Sequence, residues 1–463
     1  MGTPNSVWWI RRDFRLGDNP ALGAAIDAGT SVLPLFVEDP TLLARPGVGR
    51  SAWLYASLQA LDAELRAAGG PGLSVLPGDP TTVVPEVARS VGAATVHIAE
   101  DFAPYGRRRD QRVRTACQDA GIELVATGSP YAVSPNNLFN GSGTPFKVFT
   151  PFHRAWQSRG VHSPAPTGDA STVRWCEASQ RKPLEPADPQ LVRGANEKAA
   201  LESWHAYVAA DDAGVTDYVD NHNLPGVDGT SRLSIALRWG HIHPRTVLHD
   251  LAARKSKGAA GLSRQIAWRD FFADVLFHVP TATSQPVRPE FAQMETDEPD
   301  SSPTTQAMLA AWQQGRTGYP LVDAGMRQML TDGWMHNRVR MVVASFLIKD
   351  LHIGWWHGAD WFMERLRDGD IAQNQLNWQW VAGCGTDAAP FFRIFNPVSQ
   401  SEKFDPEGEY LRRWVPELAG VDPKYVHTPW EDPAGLPASY PARIVDHATE
   451  RKESLSRYAA IKA

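Results

Sequence analysis

The chain has 463 residues, 43% hydrophobic and 21% charged, with a formal net charge of −6. This length suggests two or three domains with a sizeable core, and this balance excludes a disordered, collagenous or coiled-coil chain. No apolar run of about 18 residues is present, so no transmembrane helix is expected. The acidic total excludes a protein basic throughout, but it leaves room for a local arginine patch.

The N-terminal part alternates between two periodicities. Residues 6–10 (SVWWI) read as a short buried strand, and 31–37, 73–76, 94–99 and 121–126 read as four more. Helical patterns lie between them at 18–28, 49–68, 80–91 and 104–120. This alternation predicts an α/β domain with a doubly wound, mostly parallel sheet. Such sheets bind ligands beyond the carboxyl ends of their strands. No GxGxxG follows the first strand and no Walker P-loop is present, so the common nucleotide fingerprints are missing.

Residues 129–190 are rich in Pro, Ser, Gly and Thr, with one apolar stretch, FKVFTPFHRAW (146–156). They read as a long connector packed on the surface and carrying one helix. From about 191 the strand signals stop. Helical patterns recur at 197–213, 230–239, 244–255, 262–277, 304–314, 320–332, 335–351, 357–367, 370–381 and 407–415. The expected organisation is an α/β domain over 1–128, a connector over 129–190 and an all-α domain over 191–463. The N-terminus carries no signal-peptide pattern. Cys117, Cys176 and Cys384 are too few and too scattered for a disulfide framework, which fits a reducing cytoplasm.

Tryptophan is the outlier in composition, with 17 residues. Trp334, Trp355, Trp356, Trp361, Trp378 and Trp380 fall close together. A large aromatic core, a sugar groove, a base-stacking surface and an electron-transfer path all accommodate that density.

Three local patterns carry chemistry. In DGDIAQNQLNWQW (368–380), Asp370, Asn374 and Trp378 recur at i, i+4 and i+8, so one helical stripe presents a carboxylate, an amide and an indole. Asp at that position also suits a helix cap. In WMHNRVRM (334–341), Asn337, Arg340 and Met341 share a face and Arg338 points elsewhere. A partly buried Arg there needs an acid or a phosphate. In GTSRLS (229–234), hydroxyls and free backbone N–H groups at a helix start suit a phosphate, although ordinary capping uses the same residues. His241 and His243 lack further ligands nearby, and no metal is expected.

Over nearly its whole length the chain resembles the photolyase/cryptochrome flavoproteins, most closely the bacterial photolyases acting on cyclobutane pyrimidine dimers. The resemblance rests on VWWIRRDFRLGDNPAL (7–22), GTSRLS (229–234), TGYPLVDAGMRQM (317–329), GWMHNRVRM (333–341), DGDIAQNQLNWQW (368–380) and GTDAAPFFRIFNPVSQSEKFD (385–405). It implies FAD in the helical domain, with Tyr218, Thr230, Ser231, Leu233 and Ser234 on its phosphates. Arg340 and Asp368 would pair beside the isoalloxazine, with Asp370 at the ring edge and Asn374 at the nitrogen whose protonation follows redox state. The implied reaction is light-driven electron donation from reduced FAD to a dimer flipped out of damaged DNA. Trp268 and Trp380 would stack against the lesion, Asn337 and Met341 would line its cavity, and Gln265 would meet a base edge. Arg338 and Arg393 would contact phosphates. Trp378 and Trp355 match the proximal and middle members of the family's photoreduction chain. Arg50, Asp101 and Arg109 lie in segments matching members with a deazaflavin antenna, and a pterin is the other antenna the family uses. A monomer is expected.

The chain departs from the pattern in three places. Gln265 stands where dimer-repair members usually have Glu. His222 and Asn223 stand where Arg-Asp usually follows the FAD-phosphate tyrosine. Ser302 falls near the distal tryptophan position, which leaves Trp312, Trp356 or a tyrosine to serve instead. A blue-light sensor with weak repair is the alternative these departures favour.

Overall fold

The computed structural model describes residues 4–44, 47–166, 168–386 and 392–461. The chain forms two compact units, Met1–Ala210 with Ser231–His278, and Asp211–Thr230 with Val279–Ala463. This division runs across the chain-order one at 128 and 190, because the helices Glu197–Ala209 and Lys257–His278 belong to the unit that holds the sheet.

The first unit is built on a five-stranded parallel sheet: β1 (Asn5–Ile10), β2 (Val32–Glu38), β3 (Ser74–Pro77), β4 (Ala93–Ile98) and β5 (Glu123–Ala126), in the order β3-β2-β1-β4-β5. The apolar run of β1 is buried on both faces, as a doubly covered parallel strand must be. Trp8 and Ile10 enter one core with Leu58 and Leu61, and Val7 and Trp9 enter the other with Val84 and Val113. The strand order reverses direction around β1, which places a topological switch point at the carboxyl ends of β1 and β4.

The connector is a surface segment only in its later part. Tyr131, Val133, Phe149, Phe152 and Trp156 are buried. The cause is a carboxylate anchor: Asp270, on the helix Lys257–His278, accepts from the Val133 amide and the Trp156 indole, both at 2.9 Å, and Asp274 accepts from the Asn136 amide at 2.7 Å. These bonds satisfy backbone donors that an irregular buried segment would otherwise leave unpaired. Burial pushes the Asp270 carboxyl up to about 6.

The second unit is helical among the described residues. Its core centres on the helices Pro320–Asp332, Asn337–Lys349, Trp355–Arg365 and Ile371–Ala382. Two helices had no strong apolar signal, Pro397–Phe404 and His447–Ala460. The second is clamped largely by polar pairs: Asp350 with His447, His352 with Glu450 at 2.9 Å, and Asp297 with Arg457 at 2.8 Å.

Candidate functional site

In the second unit, one helix start organises most of the expected side chains. His336 caps the helix Asn337–Lys349 by accepting from the Arg338 amide. Asn337 is exposed, and Arg338, Arg340 and Met341 are half-buried. Arg340 grips Asp368 with two guanidinium nitrogens, at 2.8 and 3.3 Å, and its third nitrogen donates to the Met335 carbonyl at 2.8 Å. Two parallel bonds fix the plane of the guanidinium as well as its place.

The helix Ile371–Ala382 carries the predicted stripe. Asp370 is its N-cap and accepts from the Ala372 and Gln373 amides at 3.0 and 3.2 Å. Asn374 donates from Nδ2 to the Ala359 carbonyl at 2.9 Å and to Gln375 Oε1 at 2.7 Å. Its Oδ1 accepts no hydrogen bond from the described residues. Trp378 is buried, with its ring 5.0 Å from Phe362 and 6.2 Å from Trp312. Gly358 makes this approach possible: a Cβ there would lie 2.1 Å from the Trp378 ring. Trp355 is buried beside Trp356, centroids 6.1 Å apart, and Trp356 is 36% exposed. Ser302 caps the helix Pro303–Gln313 through the Thr305 amide.

The basic side of this unit is linked. Arg393 is exposed and its guanidinium lies 5.8 Å from the Trp380 ring centre. Arg338 donates from Nε and Nη2 to Asn223 Oδ1, at 3.1 and 2.7 Å, and lies over the Phe404 ring at 4.4 Å. Burial, and then repulsion from Arg393, lowers the Arg338 pKa. Tyr218 is buried and its hydroxyl pKa is pushed up to about 12 by burial. Neither the Tyr218 nor the Thr230 hydroxyl hydrogen-bonds to a described residue.

The first unit holds the other expected residues. Ser231, Leu233 and Ser234 lie in the turn into the helix Ser234–Trp239, where Arg232 takes a left-handed φ of 49°. The Ser231 hydroxyl has no partner among the described residues. Trp268 is half-buried and stacks on Phe149, centroids 3.7 Å apart and planes 8° apart, and Gln265 is exposed one turn before it. At the carboxyl ends of β1 and β4, Arg109 bonds Asp110 at 2.8 Å and Asp101 at 3.4 Å, and Arg11 bonds Asp110 at 2.7 Å. Against the cost of burial, Arg109, Arg12 and Arg11 hold the Asp101 carboxyl below its ordinary range. Arg50 sits in the first turn of the helix Val48–Ala67.

His241 and His243 are buried and bond to Ser57 Oγ and the Ser129 carbonyl, at 3.0 and 2.8 Å. No group of three or more potential metal ligands occurs among the described residues. Residues 387–391, inside the matched stretch 385–405, lie outside the described residues. Two partners lacked a sequence signal. Phe149 reaches Trp268 across 119 positions and Asn223 reaches Arg338 across 115, distances that no local periodicity reports.

The polar atoms fit a flavin nucleotide. Within the second unit, Asn374 Oδ1 is an unused acceptor and the hydroxyls of Tyr218 and Thr230 are unused donors among the described residues.

A family profile described as the FAD binding domain of DNA photolyase matches residues 262–460, and one described as DNA photolyase matches residues 6–169. A deoxyribodipyrimidine photo-lyase from Streptomyces griseus is 41% identical over 95% of this chain and 96% of its own length. A bacterial class III photolyase from Agrobacterium tumefaciens superimposes with a TM-score of 0.90 at 36% identity, covering 100% of this chain and 98% of that one. An archaeal photolyase from Sulfolobus tokodaii, solved with two FAD molecules, superimposes with a TM-score of 0.84 at 29% identity, covering 98% of this chain and 100% of that one.

Proposed function

The chain belongs to the DNA photolyase family, and from that premise we propose that it splits cyclobutane pyrimidine dimers in damaged DNA using light. It is an enzyme of the deoxyribodipyrimidine photolyase kind, and FAD is its cofactor. One observation carries the reading. A single helix start supplies Arg340, locked to Asp368, together with Asn337, Arg338 and Met341. On this reading, a cofactor-facing cation and a lesion-facing set share one rigid element.

When bound, FAD supplies the light-excited electron donor. The chain's own groups do the rest. Tyr218, Thr230, Ser231, Leu233 and Ser234 hold the phosphates. Asn374 offers a neutral amide oxygen, which adds no charge against a reduced, anionic ring. Asp370, which caps its helix, would hold the flavin at its ring. Trp268 and Trp380 give apolar faces to flipped bases. Gln265 and Asn337 meet base edges with polar atoms, and Met341 adds soft apolar surface. Arg338 and Arg393 meet phosphates, so binding depends on lesion shape and on salt. Trp378 and Trp355 serve light-driven reduction of the cofactor. Repair by an already reduced enzyme does not need them.

We assign an antenna-type role to residues 1–128, a connecting role to 129–190 and FAD and DNA binding to 191–463, functional limits that differ from those of the two compact units. We assign Arg50, Asp101 and Arg109 to an antenna chromophore, a deazaflavin or a pterin. No described helix is long and apolar enough to cross a membrane. We place the enzyme in the cytoplasm as a monomer.

The test is repair itself. The yellow protein is chemically reduced, mixed with an oligonucleotide holding one thymine dimer, and lit with near-UV or blue light. Thymine absorbance is expected to recover in the light alone. No recovery with bound, reduced FAD overturns the reading in favour of a blue-light sensor or a different lesion.

A further inference from the structure

We propose that His222 and Asn223 are positioning residues for Arg338, and that together they make its phosphate contact depend on a proton. The inference rests on the reading of Arg338 as a DNA-phosphate contact.

The hydrogen-bond network has one self-consistent assignment. Arginine only donates, so the Asn223 atom that receives Arg338 Nε and Nη2 must be its oxygen, at 3.1 and 2.7 Å. The other amide atom is therefore Nδ2, which donates to His222 Nε2 at 3.2 Å. His222 Nδ1 faces two carbonyls, Tyr218 O at 2.8 Å and Val219 O at 2.9 Å, so Nδ1 carries the hydrogen. The ring is held in this orientation by stacking on Tyr218, centroids 4.9 Å apart. His222 is thus neutral in this arrangement, with Nε2 as an acceptor.

A proton on His222 breaks the set. Nε2 becomes a donor and meets the Asn223 amide group, which also donates. If Asn223 turns over to accept from Nε2, its amide nitrogen confronts the donors of Arg338. Whichever bond survives, the three residues cannot all be satisfied. When Asn223 turns over, Arg338 loses its acceptor, and in either case a second positive charge stands close by. Both changes favour a phosphate. By reciprocity, DNA binding favours the proton.

The other charged groups around this network have defined places among the described residues. Arg393 repels Arg338. Lys403 lies 5.2 Å from the Phe404 ring that also receives Arg338. Asp405 spends its two oxygens on the Tyr410 and Leu411 amides. His336 accepts from the Arg338 amide. Asp217 and Asp220 flank Tyr218 on the turn that leads to His222. The partner oxygen of Arg338 thus belongs to a neutral amide, and an amide gives up a cation more readily than a carboxylate does.

The experiment uses FAD-loaded protein and a fluorescein-labelled duplex with one cyclobutane thymine dimer, read by anisotropy over a salt series. Between about pH 8 and about pH 6, wild-type affinity is expected to rise about fivefold. The log–log salt slope is expected to steepen by about 0.9, one further phosphate contact. Both changes disappear in His222→Gln. Asn223→Asp, whose carboxylate accepts from Arg338 and from protonated His222 together, binds more weakly at both pH values and shows no gain. A wild-type protein without the gain, or His222→Gln with the same gain and slope, overturns the proposal. Arg338→Ala separates the two levels. If it binds as tightly as wild type, the phosphate reading of Arg338 fails and the inference fails with it. If it binds weakly while His222→Gln keeps the wild-type pH response, only the inference fails.

Discussion

Two arginine-bearing regions of this molecule treat charge in opposite ways. At the carboxyl ends of β1 and β4, Arg11 and Arg109 meet Asp101 and Asp110, cations matched by carboxylates at hydrogen-bonding distance. At the start of the helix Asn337–Lys349, Arg338 is held by an amide oxygen and repelled by Arg393. The first arrangement neutralises itself. The second keeps positive charge available and pays for it in desolvation and repulsion. Buried charge matched by carboxylates within the chain serves the fold first, and a cation held by an amide is released to another anion more readily.

The largest expected effect would break the balanced side. Arg109→Ala leaves Asp101 and Asp110 short of a cation in a buried place, and urea unfolding should show a loss of about 3–5 kcal/mol. A smaller loss would mean that Arg11 and water carry the balance alone.

Asp270 sharpens the comparison, because it is a buried carboxylate whose Oδ2 accepts from neutral donors, the Val133 amide and the Trp156 indole. Its pKa is raised to about 6, so the folded state binds the proton more tightly than the unfolded one. The resulting stability is fully present below about pH 4 and is lost as pH rises through about 6. Asp270→Asn carries no such dependence. Unfolding of the two proteins should show wild type losing up to about 3 kcal/mol relative to the variant between about pH 4 and about pH 7.

On the open side, Asn374→Asp puts a carboxylate where the amide oxygen is unused. The bound flavin should become harder to reduce, by a free energy of about 2 kcal/mol, and the fold should lose about 1–2 kcal/mol because a carboxylate cannot replace the Nδ2 donor to the Ala359 carbonyl and Gln375 Oε1. The smallest expected effect is at Trp268. Trp268→Ala should lower the preference for dimer-containing over undamaged DNA about tenfold, a ratio insensitive to the fraction of protein folded.

The elements of both units were largely legible, because strands such as SVWWI and helices such as 320–332 carry strong periodicity. The polar stripe of Asp370, Asn374 and Trp378 was legible for the same reason. The helix His447–Ala460 was not, because Ser454 is its one fully buried residue and much of its attachment comes from Asp350, Glu450 and Asp297 pairs. The connector's composition reads as a surface segment carrying one helix, and the burial of its first part is not legible there because it depends on Asp270, more than a hundred positions away. Spacing could nominate Arg338, but not the Asn223 that holds it. Local pattern reveals a side chain's face. It does not reveal a partner brought by the fold.

The sheet order has a consequence for synthesis. β1 is the central strand and is made before its neighbours, and its partner β4 begins only at Ala93. At about 5–20 residues per second, the Trp8 and Trp9 side chains leave the ribosome several seconds before both neighbouring strands exist. The unit they belong to is complete only when His278 has followed. A nascent chain of this protein therefore carries an adhesive tryptophan pair until the later elements of its unit have followed. Slowed elongation anywhere before residue 278 should cost yield through aggregation, with the finished enzyme no less stable.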